Sequence, residues 1–156
     1  MLLVSIMTLG PSCTKMLELK PVSTITNASF WKSEDDAKGA LAGMYTQLRD
    51  QSDINLFVWG EARSEVMQWG GVNGTLDYDK YYNNTLSSDN AGPSWEGLYT
   101  VVNTVNLLLK YVPDIKFSSD SSKNTILAQA YTMRACAYFV MALTWGYVPL
   151  RRAPIE

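Results

Sequence analysis

Six side chains in one polar stretch have the types and spacing to hold a sugar: Trp69, Asn73, Asp77, Tyr78, Tyr81 and Tyr82. Sugars present C–H faces to flat rings and hydroxyls to amides and carboxylates, so a site for them mixes aromatic faces with short polar groups. Between Trp69 and Gly92 such groups sit among Gly, Asn, Ser and Thr with no helical or strand period, which predicts a long loop. Loops of that length are uncommon inside compact domains and often carry function. The same rings could instead serve only to staple the loop onto its neighbours.

Other chemistry is narrower. Glu61 and Glu65 stand four apart, and Asp77 and Asp79 lie in the loop; a glycosidase needs two carboxylates roughly 5–10 Å apart, one with a raised pKa. Carboxylates at this spacing are far more often solvated surface, so no catalytic residue is assigned. The chain has no histidine, which removes Ser-His and Cys-His nucleophilic sites and every His-containing metal cage. Cys13 and Cys136 are too few for a disulfide framework or a zinc cluster, and neither a metal nor a cofactor is expected. Cys136, among small residues, is expected to be a buried thiol. Arg134 is expected to pair with Glu61 or Glu65. A net charge of -2 without a basic cluster gives a phosphate backbone nothing to bind, so nucleic acid is not an expected partner.

The elements that must position these groups are helices. Apolar residues form 47% of the 156-residue chain and charged residues 18%, the balance of one domain with a real core. Ser33 before Glu34, Asp35 and Asp36 marks a helix start, and Ala37, Ala40, Leu41, Met44, Tyr45 and Leu48 recur on one face. A second helix is predicted over 54–67, ended by Gly70 and Gly71. Ser94 is expected to cap a third, with a stripe of Leu98, Val101, Val102, Val105, Leu108, Leu109 and Val112, stopped by Pro113. After a polar connector over 114–124, a last helix to Trp145 would turn Leu127, Ala130, Tyr131, Arg134, Tyr138, Met141, Ala142 and Trp145 inward. The last two helices form an antiparallel hairpin, the unit from which helical-repeat proteins are stacked. The fold class is therefore all-α, with stacked helical hairpins and a long Tyr/Asn/Gly-rich loop. At the other end, "MLLVSIMTLG" is too short to span a bilayer but has the length of a signal-peptide apolar region, and Gly10 and Ser12 lead into Cys13.

Taken in order, "CTKMLELKPVSTIT", "FWKSEDDAKGALAGMYTQLRD", "WGEARSEVM", "WEGLYTVVNTVNLLL" and "AQAYTMRACAYFVMALTWGYVPL" resemble the start of SusD/RagB-like proteins, outer-membrane nutrient-binding lipoproteins. The resemblance implies helix pairs stacked as in tetratricopeptide repeats. It implies capture of oligosaccharide, without catalysis, for a SusC-like TonB-dependent transporter. It implies that residues 1–12 are a signal-peptide remnant and that 13–156 form the N-terminal part of a longer α-helical domain. Cys13 would be the first mature residue and carry the lipid that holds the protein to the outer membrane, facing the surface. A peptide-capturing RagB-type relative and a helical-repeat interaction module without nutrient ligand are the alternatives.

Overall fold

The computed structural model describes residues 27–64, 66–68, 70, 78–90 and 92–155. Every regular element among them is helical. A short α1 (Asn27–Phe30) precedes the long α2 (Glu34–Ser52). Then come α3 (Asn55–Gly60) with a 3₁₀ turn over Glu61–Arg63, and the one-turn α4 (Tyr78–Tyr82). α5 (Glu96–Tyr111), a second 3₁₀ turn and α6 (Asp120–Trp145) complete the chain. α5 and α6 pack along their length, and α2 packs mainly on α5 while also touching α6.

α2 starts as its sequence dictates. The Ser33 hydroxyl accepts the Asp36 N–H at 3.2 Å, and the Asp36 carboxylate accepts the Ser33 N–H at 2.8 Å. This reciprocal box satisfies two donors that a helix start leaves orphaned. Ala37 and Met44 are buried from its stripe, while Ala40, Leu41 and Leu48 pack at the edge of the core.

α5 is the hub. Val101, Val105 and Leu108 join Ala37, Met44, Ile126 and Ala130 in one buried cluster. Leu98 and Val102 join Val58, Trp59, Tyr81, Ala137 and Met141 in a second. All the stripe residues expected on this helix face protein, Leu109 at the margin. Ser94 is not the cap expected: its hydroxyl accepts the Glu96 N–H at 3.3 Å, but Trp95 stands at the N-cap and the helix has no side-chain cap.

Four further expectations need correction. The second helix ends at Arg63 rather than Met67, because Ser64 turns to extended backbone and its hydroxyl takes the Glu61 carbonyl at 2.6 Å. Part of the expected loop, Tyr78–Tyr82, is a helical turn. α6 begins at Asp120, inside what looked like connector, since the Ser119 hydroxyl caps it by accepting the Ser122 N–H. The inward face of α6 is also rotated from the expected one. Ile126, Ala130, Ala137 and Met141 are buried, whereas Tyr131 and Ala142 meet solvent. Small side chains at 130 and 137 let α5 approach closely, and a ring at the seam would hold it off.

Candidate functional site

Of the six sugar-binding candidates, Trp69, Asn73 and Asp77 lie outside the described residues; Tyr78, Tyr81 and Tyr82 share α4. One helical turn sends these three rings to two hollows. Tyr81 is buried against Trp59 and Leu98, with its edge on a polar cleft. Tyr78 and Tyr82 line an apolar hollow of about 380 Å³ with Ile54, Phe57 and Met67. A single loop site formed by all three rings is therefore not what α4 builds.

The polar cleft has a volume of about 400 Å³. Trp59 and Trp145 meet edge to face in its wall, centroids 4.7 Å apart at 69°. Arg63, Asn84, Ser87, Ser88 and Asn90 surround them. The sequence pattern left all seven out. Trp59 and Trp145 sat inside helical patterns, and the polar residues looked like generic loop.

Local folding explains the polar rim. Asn84 takes a φ of 53°, the left-handed region that Asn tolerates better than most side chains. The Thr85 N–H reaches the Lys80 carbonyl at 2.9 Å and the Asn84 N–H reaches that of Tyr81 at 3.1 Å. These are the paired bonds of a Schellman stop, which ends α4. In that position the Asn84 side-chain oxygen accepts Arg63 Nε–H at 3.1 Å, fixing the plane of the guanidinium beside the cleft. Ser87 and Asn90 close the next turn, the Asn90 oxygen accepting the Ser87 N–H at 2.7 Å.

From the cleft a row of rings continues along the α5–α6 hairpin. Trp145 meets Trp95, Trp95 meets Tyr99 and Tyr99 meets Tyr138, at centroid distances between 6.0 and 6.4 Å. Trp95 is exposed and Tyr99 half-buried. Burial raises the Tyr99 pKa, and its protonated hydroxyl donates to the Pro149 carbonyl at 2.6 Å. That bond begins a clamp on the non-helical segment after α6. Tyr138 accepts the Arg151 N–H at 2.6 Å, and Asn103 takes both the N–H and carbonyl of Ile155. Asn106, 2% exposed, donates to the carbonyls of Arg151 and Ala153.

Arg134 belongs to this clamp. Its guanidinium donates to the Asn106 side-chain oxygen at 3.0 Å and lies over the Tyr131 ring, and among the described residues it forms no ion pair. The pairing expected with Glu61 is not made; Glu61 is exposed at the 3₁₀ turn, and Glu65 lies outside the described residues. Cys136 is exposed, because the helix turns it opposite Ala137 and Met141.

This order of helices has known counterparts. A family model for SusD-like proteins, described as starch-binding and associating with the outer membrane, matches residues 15–155. The chain belongs to the SusD-like family. A SusD-like protein of Formosa agariphila is 33% identical over 144 residues, covering 89% of this chain and 27% of the relative. One from Bacteroides ovatus is 28% identical over 141 residues, covering 86% and 24%. Among solved structures, B. fragilis NanU superposes with a TM-score of 0.75 at 30% identity, over 88% of this chain and 28% of that one. This SusD-like chain thus spans about a quarter of the length of these relatives, and its helix pairs follow the tetratricopeptide-like arrangement expected for the family.

Proposed function

We propose that this chain serves an outer-membrane protein that captures oligosaccharide and passes it to a SusC-like TonB-dependent transporter, as a binding protein rather than an enzyme. Cys13 carries the lipid anchor and holds the protein at the cell surface. The observation that carries the sugar reading is the polar cleft, where Trp59 and Trp145 stand among Arg63, Asn84, Ser87 and Ser88. Ring edges and short polar groups within about 400 Å³ suit one or two sugar rings. Tyr81 adds its edge to the cleft, and Trp69, Asn73 and Asp77, with Tyr78 and Tyr82 at the neighbouring hollow, extend the binding surface.

One observation favours the peptide-capturing alternative. The α5–α6 groove already holds non-helical backbone through side-chain amides, with Asn103 matching both polar groups of Ile155. The apolar hollow beside Phe57 and Tyr82 would accept a hydrophobic side chain.

Binding of the full chain carrying Cys13→Ser to arrays of glycans and peptides separates the two. The expected result is glycan binding that Arg63→Ala and Ser88→Ala each weaken about tenfold, a loss of about 1.4 kcal/mol, while Tm stays put. Tyr82→Ala and Trp69→Ala test the neighbouring rings in the same way. Binding confined to the peptide array would replace the sugar reading with the peptide one. Binding to neither, with transporter association retained, would leave an interaction module.

A further inference from the structure

Arg63 is exposed, yet it is held in place from two sides. Its backbone belongs to the 3₁₀ turn, which Ser64 closes on the Glu61 carbonyl at 2.6 Å. Its Nε–H is taken by the Asn84 oxygen at 3.1 Å, and Asn84 is fixed by the left-handed stop of α4. A solvated arginine normally keeps its rotamer freedom in water; here two turns orient the guanidinium. The bond to Asn84 uses Nε and leaves the end-on pair, Nη1 and Nη2. Among the described residues no carboxylate forms an ion pair with them.

The surroundings carry the same sign. Arg63 lines the polar cleft and also a smaller hollow of about 270 Å³, which shares Trp59 and Thr144 with it. Of the described residues lining either space, Arg63 alone is charged. Asp89, in the rim turn, accepts the Ser88 hydroxyl at 3.5 Å and does not line the cleft. Yet the chain has 15 acidic side chains against 13 basic ones, so its overall field does not gather anions. An oriented cation in a cleft without carboxylates is a local preference.

We infer, building on the sugar reading, that the cleft takes an acidic oligosaccharide: Nη1 and Nη2 of Arg63 hold a sugar carboxylate or sulfate end-on, while Trp59 and Trp145 meet the ring that bears it. A guanidinium fork matches two oxygens of one oxyanion at once, and such charge-assisted pairs are roughly twice as strong as neutral ones. A neutral sugar offers that fork only hydroxyls.

Binding of the full chain carrying Cys13→Ser to paired probes tests it. Oligogalacturonate, oligomannuronate and hyaluronan fragments carry carboxylates, and sulfated galactan and fucan fragments carry sulfates; each is measured beside its carboxyl-reduced or desulfated form. At least one acidic probe should bind about tenfold or more tighter than its neutralised form, the margin of one charge-assisted pair, and the series that shows it assigns carboxylate or sulfate. Arg63→Gln should erase that margin, whereas Arg152→Gln, which removes a cation from a different hollow, should keep it. If Arg63→Gln fails to fold, Asn84→Gly reads the same margin: it keeps the left-handed turn, releases the guanidinium, and should shrink the margin about threefold. Equal binding of acidic and neutral forms, or a margin that survives Arg63→Gln, would overturn the acidic ligand and leave the sugar reading standing. Binding of no glycan, acidic or neutral, would overturn both.

Discussion

Asn106 commits both ends of its buried side-chain amide. Its amide nitrogen serves the Arg151 and Ala153 carbonyls while its oxygen receives Arg134, all with 2% exposure. Removing it leaves buried partners unsatisfied, which costs more than a hydrogen bond is worth when made. Asn106→Ala should therefore lower stability by about 2–3 kcal/mol in urea unfolding, whereas Thr100→Ala, at an exposed helix site, should change it little. A loss no larger than that of the control would mean the clamp contributes nothing. The sequence held a hint of this network. Asn103 and Asn106 interrupt an apolar stripe three residues apart, on one side of a helix that gains nothing locally from Asn. Their partners were not legible, because they lie 45 to 52 residues ahead in non-helical backbone with no pattern of its own. For Arg134 the charge rule suggested a carboxylate, and a buried amide took that place.

Among the elements, α2 shows how a helix start can also fasten a distant connector. Glu34, its first residue, accepts the Ser118 N–H at 2.8 Å and pairs with Lys38 at 2.8 Å. The Lys38 ammonium, then the Ser118 N–H, hold the Glu34 carboxyl at about 2, below its usual 4.5. A carboxyl whose pKa falls on folding stabilises the native state fully above its unfolded value and loses that contribution as pH falls through its folded one. The window here runs from about 4.5 down to about 2. Glu34→Gln should flatten the fall of the urea midpoint across that window and leave its slope at neutral pH unchanged; an unchanged acid limb would dissociate Glu34 from the connector. Start signals such as Ser33 were legible because a cap is local chemistry. The start of α6 was missed because five polar residues after Ser119 resemble a linker, and only the cap and packing against Pro113 and Phe117 recruit them. α4 was missed for a related reason: its stop depends on a left-handed Asn84, one of many Asn in a stretch without period.

At the scale of the molecule, the described residues form two buried clusters threaded on one helix, with Leu108 in the first and Leu98 in the second. Shared ownership of α5 should make them unfold as one unit. Leu98→Ala and Leu108→Ala should each cost about 2–5 kcal/mol. With Trp31, Trp69 and Trp95 replaced by Phe in both variants, the fluorescence of Trp59 and Trp145, which reports on the second cluster, should track helix loss by far-UV circular dichroism. Separate transitions would divide the molecule in two. The all-helical class and the family were legible from stripes and their order, since burial against a shared core imposes a 3.6-residue period. The cleft was not, because Trp59, Asn84 and Trp145 converge from three elements with no common spacing. The clamp on residues 149–155 also sets a timetable for biosynthesis. Asn106 leaves the ribosome well before the carbonyls that satisfy it, and at 5–20 residues per second the wait is roughly two to nine seconds. α6 itself is made during most of that interval, so the completed hairpin carries an open polar groove only while residues 146–155 follow, roughly half a second to two seconds, before they become its seal.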